Sequence, residues 1–474
     1  MTYLTREEIL NWGVSTEYPS RHRYADRLIS RLKEAGQWDV RQLAGHNWAM
    51  GCVALEVTQR CNLDCTLCYL SENSEAVLDL PLPEIFRRIE NIRRHFGPGT
   101  SVQVTGGDPT LRKREELAAI VRRIRDLGMQ ATLFTNGIRA TRSLLAELVD
   151  NGLDGVAFHV DITQRRKGYP NEAALNDLRK TYIDRARGLP LAVYFNTTVC
   201  AENFAQIPGI VRFFRAHSGS VSLASFQPQA ETGRGVLRRR APFISPESVA
   251  EQISRGAGRP INFDVARVGH ESCNKYAVCL SVRGNLYNLF EDTAFMMDMF
   301  AKTRGCTFDR KRPWRLIAEL FSVVLANPRC WANAGTYLGR KLWEMRWDLL
   351  WAGGRVGKLS FFIHNFMDAS QLEEERCRSC VFMAATAQGP ISMCVHNAKR
   401  DEFLLKPFTV DTAPGWRWWH PLYGYAPGSA DRGAHSFPLL QSVAVLPTEN
   451  RKGRGGSRRE MPHRSVETRP VERD

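Results

Sequence analysis

Residues 53–70 read VALEVTQRCNLDCTLCYL. VALEV (53–57) is a short apolar run that reads as a strand, and it delivers the chain straight into a loop carrying Cys61, Cys65 and Cys68. Three residues separate the first pair of cysteines and two the second. Outward from this loop, helix-like and strand-like stretches alternate. PEIFRRIENIRRHFG (83–97) reads as a helix, with Pro83 in its first turn and Gly97 at its end. SVQVT (101–105), ATLFT (131–135), GVAFHV (155–160), LAVYFNTTV (191–199) and SVSLASF (220–226) read as strands. Between them lie the helical stretches REELAAIVRRIRDLG, TRSLLAELVDNG, ALNDLRKTYIDRAR and IPGIVRFFRAH.

Strands and helices joined by short connections predict an α/β fold with a parallel sheet, curled into a partial (β/α)6 TIM-like barrel over residues 51–245. The two further repeats of a complete eight-stranded barrel are not evident. Active sites in such folds lie at the C-terminal strand ends, where the cysteine loop sits. Residues 1–50 read as a helical lead-in, with Tyr24, Leu28, Ile29 and Leu32 at helical spacing and Gly36 as cap. Residues 246–405 read as a cysteine-containing C-terminal extension around a basic, Trp-rich segment at 302–358. Residues 406–474 read as a C-terminal tail, disordered from about residue 447 on composition.

The chain has 474 residues, 43% hydrophobic and 24% charged, which excludes global disorder. No apolar run reaches the length of a membrane-spanning helix, and MTYLTREEILNWG has no basic run followed by an apolar stretch. The expectation is a cytoplasmic protein, with twelve cysteines serving as reduced thiols or metal ligands. Net charge is +15. Residues 302–358 hold twelve Lys/Arg against four Asp/Glu, so +8 falls there. Phosphate-bearing partners suit that charge, in nucleic acid, lipid headgroups or a small substrate.

Three thiolates without a nearby fourth suit a 4Fe–4S cluster with one iron left open, and S-adenosylmethionine (SAM) can chelate that iron. The alternative is a structural metal site that borrows a distant fourth cysteine.

The loop and the motifs after it resemble the radical SAM superfamily. TGGDP (105–109) stands where that family carries a glycine-rich turn, which implies SAM contacts from Thr105, Gly106, Gly107 and Asp108; Asp108 occupies a position where Glu is common. FTNG (134–137), HVDIT (159–163) and FNTTV (195–199) end successive strands, and the resemblance implies SAM contacts from Asp161, Asn196 and Thr198. A polar residue at a strand end is also an ordinary helix cap. FQPQAETGRG (226–235), which contains Gln227, resembles the tetraether-synthase-like branch, a branch also described as dihydropterin methyltransferase-like. HESCNKYAVCLSVRGNLYNLF (270–290) and FFIHNFMDA…CRSC…C (361–394) resemble it too. The resemblance is not expected to extend to the rubredoxin-like N-terminal module of tetraether synthases.

Cys377, Cys380 and Cys394, with Cys273 or Cys279, are candidate ligands of a second iron–sulfur cluster, or of a zinc. Cys52, Cys200, Cys306 and Cys330 read as isolated buried thiols. His364 and His396 read as structural residues or as ligands. Trp343, Trp347 and Trp351 recur at four-residue spacing beside Arg340, Lys341 and Arg346. They suit a helix packed over the barrel, or one lying at the inner membrane surface. Together these features imply a radical SAM enzyme that draws electrons from a ferredoxin or flavodoxin and acts on a small molecule or a lipid chain. Pterin methylation and peptide modification are the alternatives. An iron–sulfur protein that binds nucleic acid would leave the GGDP turn unexplained.

Overall fold

A computed structural model describes residues 2–19, 24–45, 49–235, 238–303, 313–328, 331–413 and 415–426. Cys306, Cys330 and the tail from about residue 447 lie outside them. The lead-in contributes α1 (Arg6–Asn11), closed by a Thr5–Glu8 capping box, and α2 (Asp26–Glu34). Six parallel strands follow in sequence order: β1 (Cys52–Thr58), β2 (Ser101–Gly106), β3 (Gln130–Thr135), β4 (Leu153–His159), β5 (Ala192–Val199) and β6 (Val221–Pro228). Each carries a helix behind it: α3 (Leu82–Phe96), α4 (Arg114–Asp126), α5 (Arg142–Asp150), α6 (Asn176–Ala186), α7 (Ile207–Ala216) and α8 (Pro246–Ala257).

Period two decides which side of the sheet each residue faces. Val53, Leu55 and Val57 of β1 lie in one apolar core with Ile85, Ile89 and Ile92, the one-turn stripe of α3. The same pairing recurs for Val102 and Val104 with α4, and for Val193 and Phe195 with α7. The alternate residues, among them Glu56, Thr105, Asn196 and Gln227, therefore belong to the opposite face and its mouth.

Beyond residue 245 the strand–helix repeat stops, but the sheet does not. β7 (Asn274–Val282) and β8 (Asn285–Asn288) form a hairpin, α9 (Thr293–Lys302), α10 (Pro313–Leu325) and α11 (Trp331–Trp351) follow, and β9 (Gly357–His364) returns to the sheet. β9 runs parallel to β6, and β7 pairs antiparallel with β9. After α12 (Glu374–Arg378), β10 (Phe382–Ala385) pairs parallel with β1 at the opposite edge, and β11 (Pro390–Ser392) pairs with β10. The sheet has eleven strands, not the six that the repeat predicts, in the order β11-β10-β1-β2-β3-β4-β5-β6-β9-β7-β8. The added strands were missed because they arrive out of register with the repeat. The β7–β8 connection is two residues, Arg283 (φ +54°) and Gly284 (φ +81°), the conformation of a tight hairpin turn. α13 (Met393–Ala398) and α14 (Arg400–Leu404) precede a small antiparallel sheet, β12 (Phe408–Thr412), β13 (Gly415–His420) and β14 (Gly424–Tyr425), where a tail was expected.

Candidate functional site

The cysteine loop leaves β1 at the C-terminal end of the parallel sheet and is gripped by several neighbouring strand ends. After β2, the Gly107 N–H donates to the Thr58 carbonyl and the Asp108 N–H to the Arg60 carbonyl, both at 2.8 Å. A Cβ at Gly106 or Gly107 would stand 2.0 Å from the Thr58 or Arg60 carbonyl oxygen. The two glycines are required by this contact with the chain's own backbone. Tyr69 Oη, just past Cys68, donates to the Gly106 carbonyl at 2.7 Å. After β3, the Asn136 amide donates to Asn62 (2.6 Å) and lies 3.9 Å from Cys61 Sγ. After β4, the Thr163 carbonyl accepts from the Thr66 N–H at 2.9 Å. After β6, the Arg234 N–H donates to the Cys68 and Leu70 carbonyls (2.9 and 3.1 Å), and its guanidinium meets Asp64 and Glu75 at 3.1 and 3.4 Å. Gly233 (φ +54°) lies so close that a Cβ would be 2.3 Å from the Tyr69 carbonyl oxygen.

The three thiols stand within electrostatic reach of one another. Burial is the first cause that raises the pKa of each. Cys68 adds to the rise at Cys61, and both add to the rise at Cys65. The Leu63 and Leu70 N–H groups face the Cys61 and Cys68 sulfurs and favour their thiolates. Three half-buried sulfurs, two of them facing backbone donors, fit a 4Fe–4S cluster with one iron left open. Among the described residues no three His, Cys, Asp or Glu side chains stand close enough to hold a single metal ion.

The other candidate residues lie on the strands β2, β4, β5 and β6 or in the turns just after them. Asp108 is fully buried, and its carboxylate accepts from Thr110 N (3.0 Å), Thr135 Oγ1 (2.8 Å) and Asn136 N (2.8 Å). That side chain ties the β2 turn to the end of β3. Asp161, also fully buried, accepts from Thr163 N (2.9 Å), Thr198 N (2.7 Å) and His159 Nε2 (2.7 Å). Burial works to raise its pKa, but His159, Thr163 and Thr198 hold it below the ordinary value. Thr198 Oγ1 lies 3.2 Å from the same His159 nitrogen, so Asp161 and Thr198 meet at His159. Sequence reasoning passed over His159, although it stands two residues before Asp161 on the inward register of β4. Thr105 Oγ1 lies 3.4 Å from Tyr69 Oη. Asn196 and Gln227 sit at the ends of β5 and β6, where Thr198 pairs with Gln227.

Glu56 and Arg400 form a buried ion pair at 2.6 Å beside the loop, 344 residues apart in the chain. The Arg400 guanidinium lies 4.6 Å over the Tyr69 ring, linking α14 to the residue after Cys68. Burial works to raise the Glu56 pKa; Arg400 and His396 reverse that and hold it at about 2. No periodicity or spacing connects positions so far apart.

The C-terminal cysteines separate into a set and an outsider. Cys273, Cys377, Cys380 and Cys394 influence one another in all six pairings. Burial raises Cys273 to about 11, while Arg376 Nε, donating to its sulfur at 3.2 Å, opposes the rise. Cys273 precedes β7 at one edge of the sheet and Cys380 precedes β10 at the other, so the set gathers where the two edges approach. Cys279 lies six residues along β7 from Cys273, about 20 Å at strand rise. Its sulfur faces Asn288 at 4.0 Å and it stays outside the set. Burial raises it to about 12. His364 borders the set, its ring centre 3.9 Å from Phe366 and 4.3 Å from Phe382, and burial lowers its pKa to about 3. His396 is buried 5.3 Å from Phe403. Cys52 and Cys200 are buried, and Cys52 lies within electrostatic reach of Cys380.

Residues 55–213 match the Radical SAM superfamily. The chain is 28% identical over 234 residues to the 7,8-dihydro-6-hydroxymethylpterin dimethyltransferase of Methanocaldococcus jannaschii, covering 47% of this chain and 46% of that one. It is 30% identical over 169 residues to the PqqA peptide cyclase of Bradyrhizobium diazoefficiens, covering 34% and 42%. Thus it spans less than half the length of either relative. Among solved structures, Streptococcus suis SuiB bound to precursor peptide SuiA matches with a TM-score of 0.35 at 15% identity, over 48% of this chain and 49% of that one. Residues 55–213 thus match the radical SAM superfamily, a family that uses a 4Fe–4S cluster and SAM.

Proposed function

We propose that the protein is a radical SAM enzyme acting at the mouth of the β1–β6 sheet. One observation carries this reading: a loop of three half-buried thiols, gripped by the ends of β2, β3 and β4 and by the segment after β6. Cys61, Cys65 and Cys68 would hold a 4Fe–4S cluster, which would supply the electron for reductive cleavage of the C–S bond of SAM. The electron comes from a one-electron carrier of the ferredoxin or flavodoxin class. The reaction class this implies is abstraction of a hydrogen atom from an unactivated substrate C–H, with 5′-deoxyadenosine as co-product. Gly106, Gly107 and Thr105 present backbone and hydroxyl groups to SAM, with Asn196, Thr198 and Gln227 at the neighbouring strand ends. Asp108 and Asp161 act one step back, by holding those strand ends in register.

The substrate reading is a lipid chain, modified through formation of a C–C bond or otherwise. The outward aromatic face of α11 supports it. A second reading, methylation of a pterin-like heterocycle, is favoured by the 28% identity to the dihydropterin dimethyltransferase; the PqqA peptide cyclase supports peptide modification in the same way. Cys273, Cys377, Cys380 and Cys394 are the ligands we assign to a second cluster, and their origin at both sheet edges supports a role in holding the open barrel closed.

The test is anaerobic reconstitution followed by incubation with SAM and dithionite. Formation of 5′-deoxyadenosine by the parent, and none by a C61A/C65A/C68A variant, is expected. A fully reconstituted parent that forms none, and whose EPR spectrum SAM leaves unchanged, would overturn the reading.

A further inference from the structure

Helix α11 has two unlike faces. Its inner face is fastened to the β7–β8 hairpin and the segment after it. Tyr337 Oη donates to the Leu289 carbonyl, Lys341 pairs with Glu291 and Glu344, and Asp348 accepts from Asn285 (2.6 Å) and Tyr287 (2.5 Å). Met345 is buried with Val282 and Tyr287, and Leu349 packs beside it. Positions 337, 341, 345, 348, 349 and 352 make this one stripe at helical spacing.

The opposite face carries the tryptophans. Trp343, Trp347, Leu350 and Trp351 are 69%, 64%, 67% and 73% exposed. At 100° per residue they fall within an arc of about 100°, centred opposite Met345. The Trp stripe therefore does not pack on the barrel. α10, immediately before it, exposes Phe321 and Leu325, and Trp331 and Leu338 are exposed on α11 itself. Soluble monomers rarely leave a row of large apolar side chains such as Trp343, Trp347, Leu350 and Trp351 bare. Cations are interleaved with them. The Arg346 guanidinium lies 4.1 Å from the Trp343 ring centre and 5.6 Å from that of Trp347, and Arg355 is exposed just past the helix. Among the described residues neither of these arginines has an acidic partner.

We propose that the Trp343/Trp347/Leu350/Trp351 face, with Arg346 and Arg355, seats the protein on the surface of an anionic phospholipid bilayer. Indole rings settle at the headgroup level, and guanidinium groups beside them meet lipid phosphates. Charge decides between this occupant and a second copy of the chain. A two-fold interface on this face would set Arg346 and Arg355 against their own duplicates, whereas anionic headgroups complement them. No helix among the described residues is long and apolar enough to cross a membrane, so α11 lies in the interface plane. The docking stands independently of the radical chemistry.

The test is co-sedimentation of the full chain with phosphatidylcholine vesicles, with and without phosphatidylglycerol, together with tryptophan emission. The parent pellets with the anionic vesicles, its emission shifts to the blue, and salt weakens the binding. W343S/W347S/W351S loses the binding. R346E/R355E, which keeps the rings, loses at least about fivefold in affinity per charge on anionic vesicles. Both variants keep the parent's circular dichroism, because the replaced side chains touch solvent. No pelleting by the parent, or equal pelleting by the serine variant, would overturn the proposal. So would a parent that sediments as a dimer broken by those serines and ignores vesicles, since the face would then be a self-association surface.

Discussion

Replacing Arg400 with Met should cost more than any surface arginine in this chain, and the cost should change with pH in a direction opposite to ordinary acid sensitivity. Arg400 is the cation that keeps buried Glu56 ionised, at 2.6 Å. Removing one partner of a buried pair leaves an uncompensated charge and costs about 3–5 kcal/mol, a large part of a typical total stability of about 5–15 kcal/mol. In the parent, the Glu56 pKa is depressed to about 2, against 4.5 ordinarily. Its contribution is therefore complete above about pH 4.5 and is lost as pH falls toward 2. In R400M the burial that already pushes Glu56 upward acts with its main counterweight gone, so its folded-state pKa rises above the ordinary value. The folded variant then binds a proton that the unfolded chain does not, and its deficit relative to the parent shrinks between about pH 7.5 and about pH 5. E56Q/R400M, with a neutral amide, should recover most of the loss. Urea unfolding of the metal-free chain, followed by tryptophan fluorescence at both ends of that range, measures this. A deficit below about 1 kcal/mol, or one that is the same at both pH values, would refute the claim that Arg400 neutralises Glu56.

The remaining expectations concern the two cysteine sets and the mouth. C279S should retain the full iron content of the parent after reconstitution, while serine at Cys273, Cys377, Cys380 or Cys394 removes the second cluster's share; iron analysis and Mössbauer spectra distinguish them. G233A forces a Cβ to 2.3 Å from the Tyr69 carbonyl oxygen at a positive φ. It should loosen the cysteine loop by about 1–3 kcal/mol, read as faster loss of cluster absorbance under chelator. D161N turns an acceptor toward a donor at Thr198 N or His159 Nε2, which should cost about 1–3 kcal/mol. It should lower both the melting temperature and the yield of 5′-deoxyadenosine, while D161A loses more.

Local periodicity was sufficient for β1 to β6 and the helices behind them. A parallel strand covered by helices is apolar over consecutive residues, and an amphipathic helix repeats every three to four. Each pattern is complete within a dozen residues. The cysteine loop was legible for the same reason, because its three cysteines are close in the chain and their spacing is visible there. The glycines of TGGDP were visible too, but their reason was not: the partner that forbids a Cβ is the carbonyl of Thr58 or Arg60, which the fold brings from another strand.

What escaped the sequence depends on distant pairing. β9 joins β6 and β10 joins β1 because open sheet edges accept strands from anywhere in the chain, and no residue in KLSFFIH or FMAA names its partner. Cys273 and Cys279 were equal candidates by spacing, but a strand's rise separates them by about 20 Å and leaves one inside the set. The Trp stripe of α11 could face the barrel or the solvent until Tyr337, Lys341 and Met345 took the inner side. Composition and spacing thus settled the strand–helix core and the three-thiol loop. The edges of the sheet, the Glu56–Arg400 pair and the outward turn of the tryptophans were settled by packing, since a side chain's surroundings are set by whichever segment fills the space beside it.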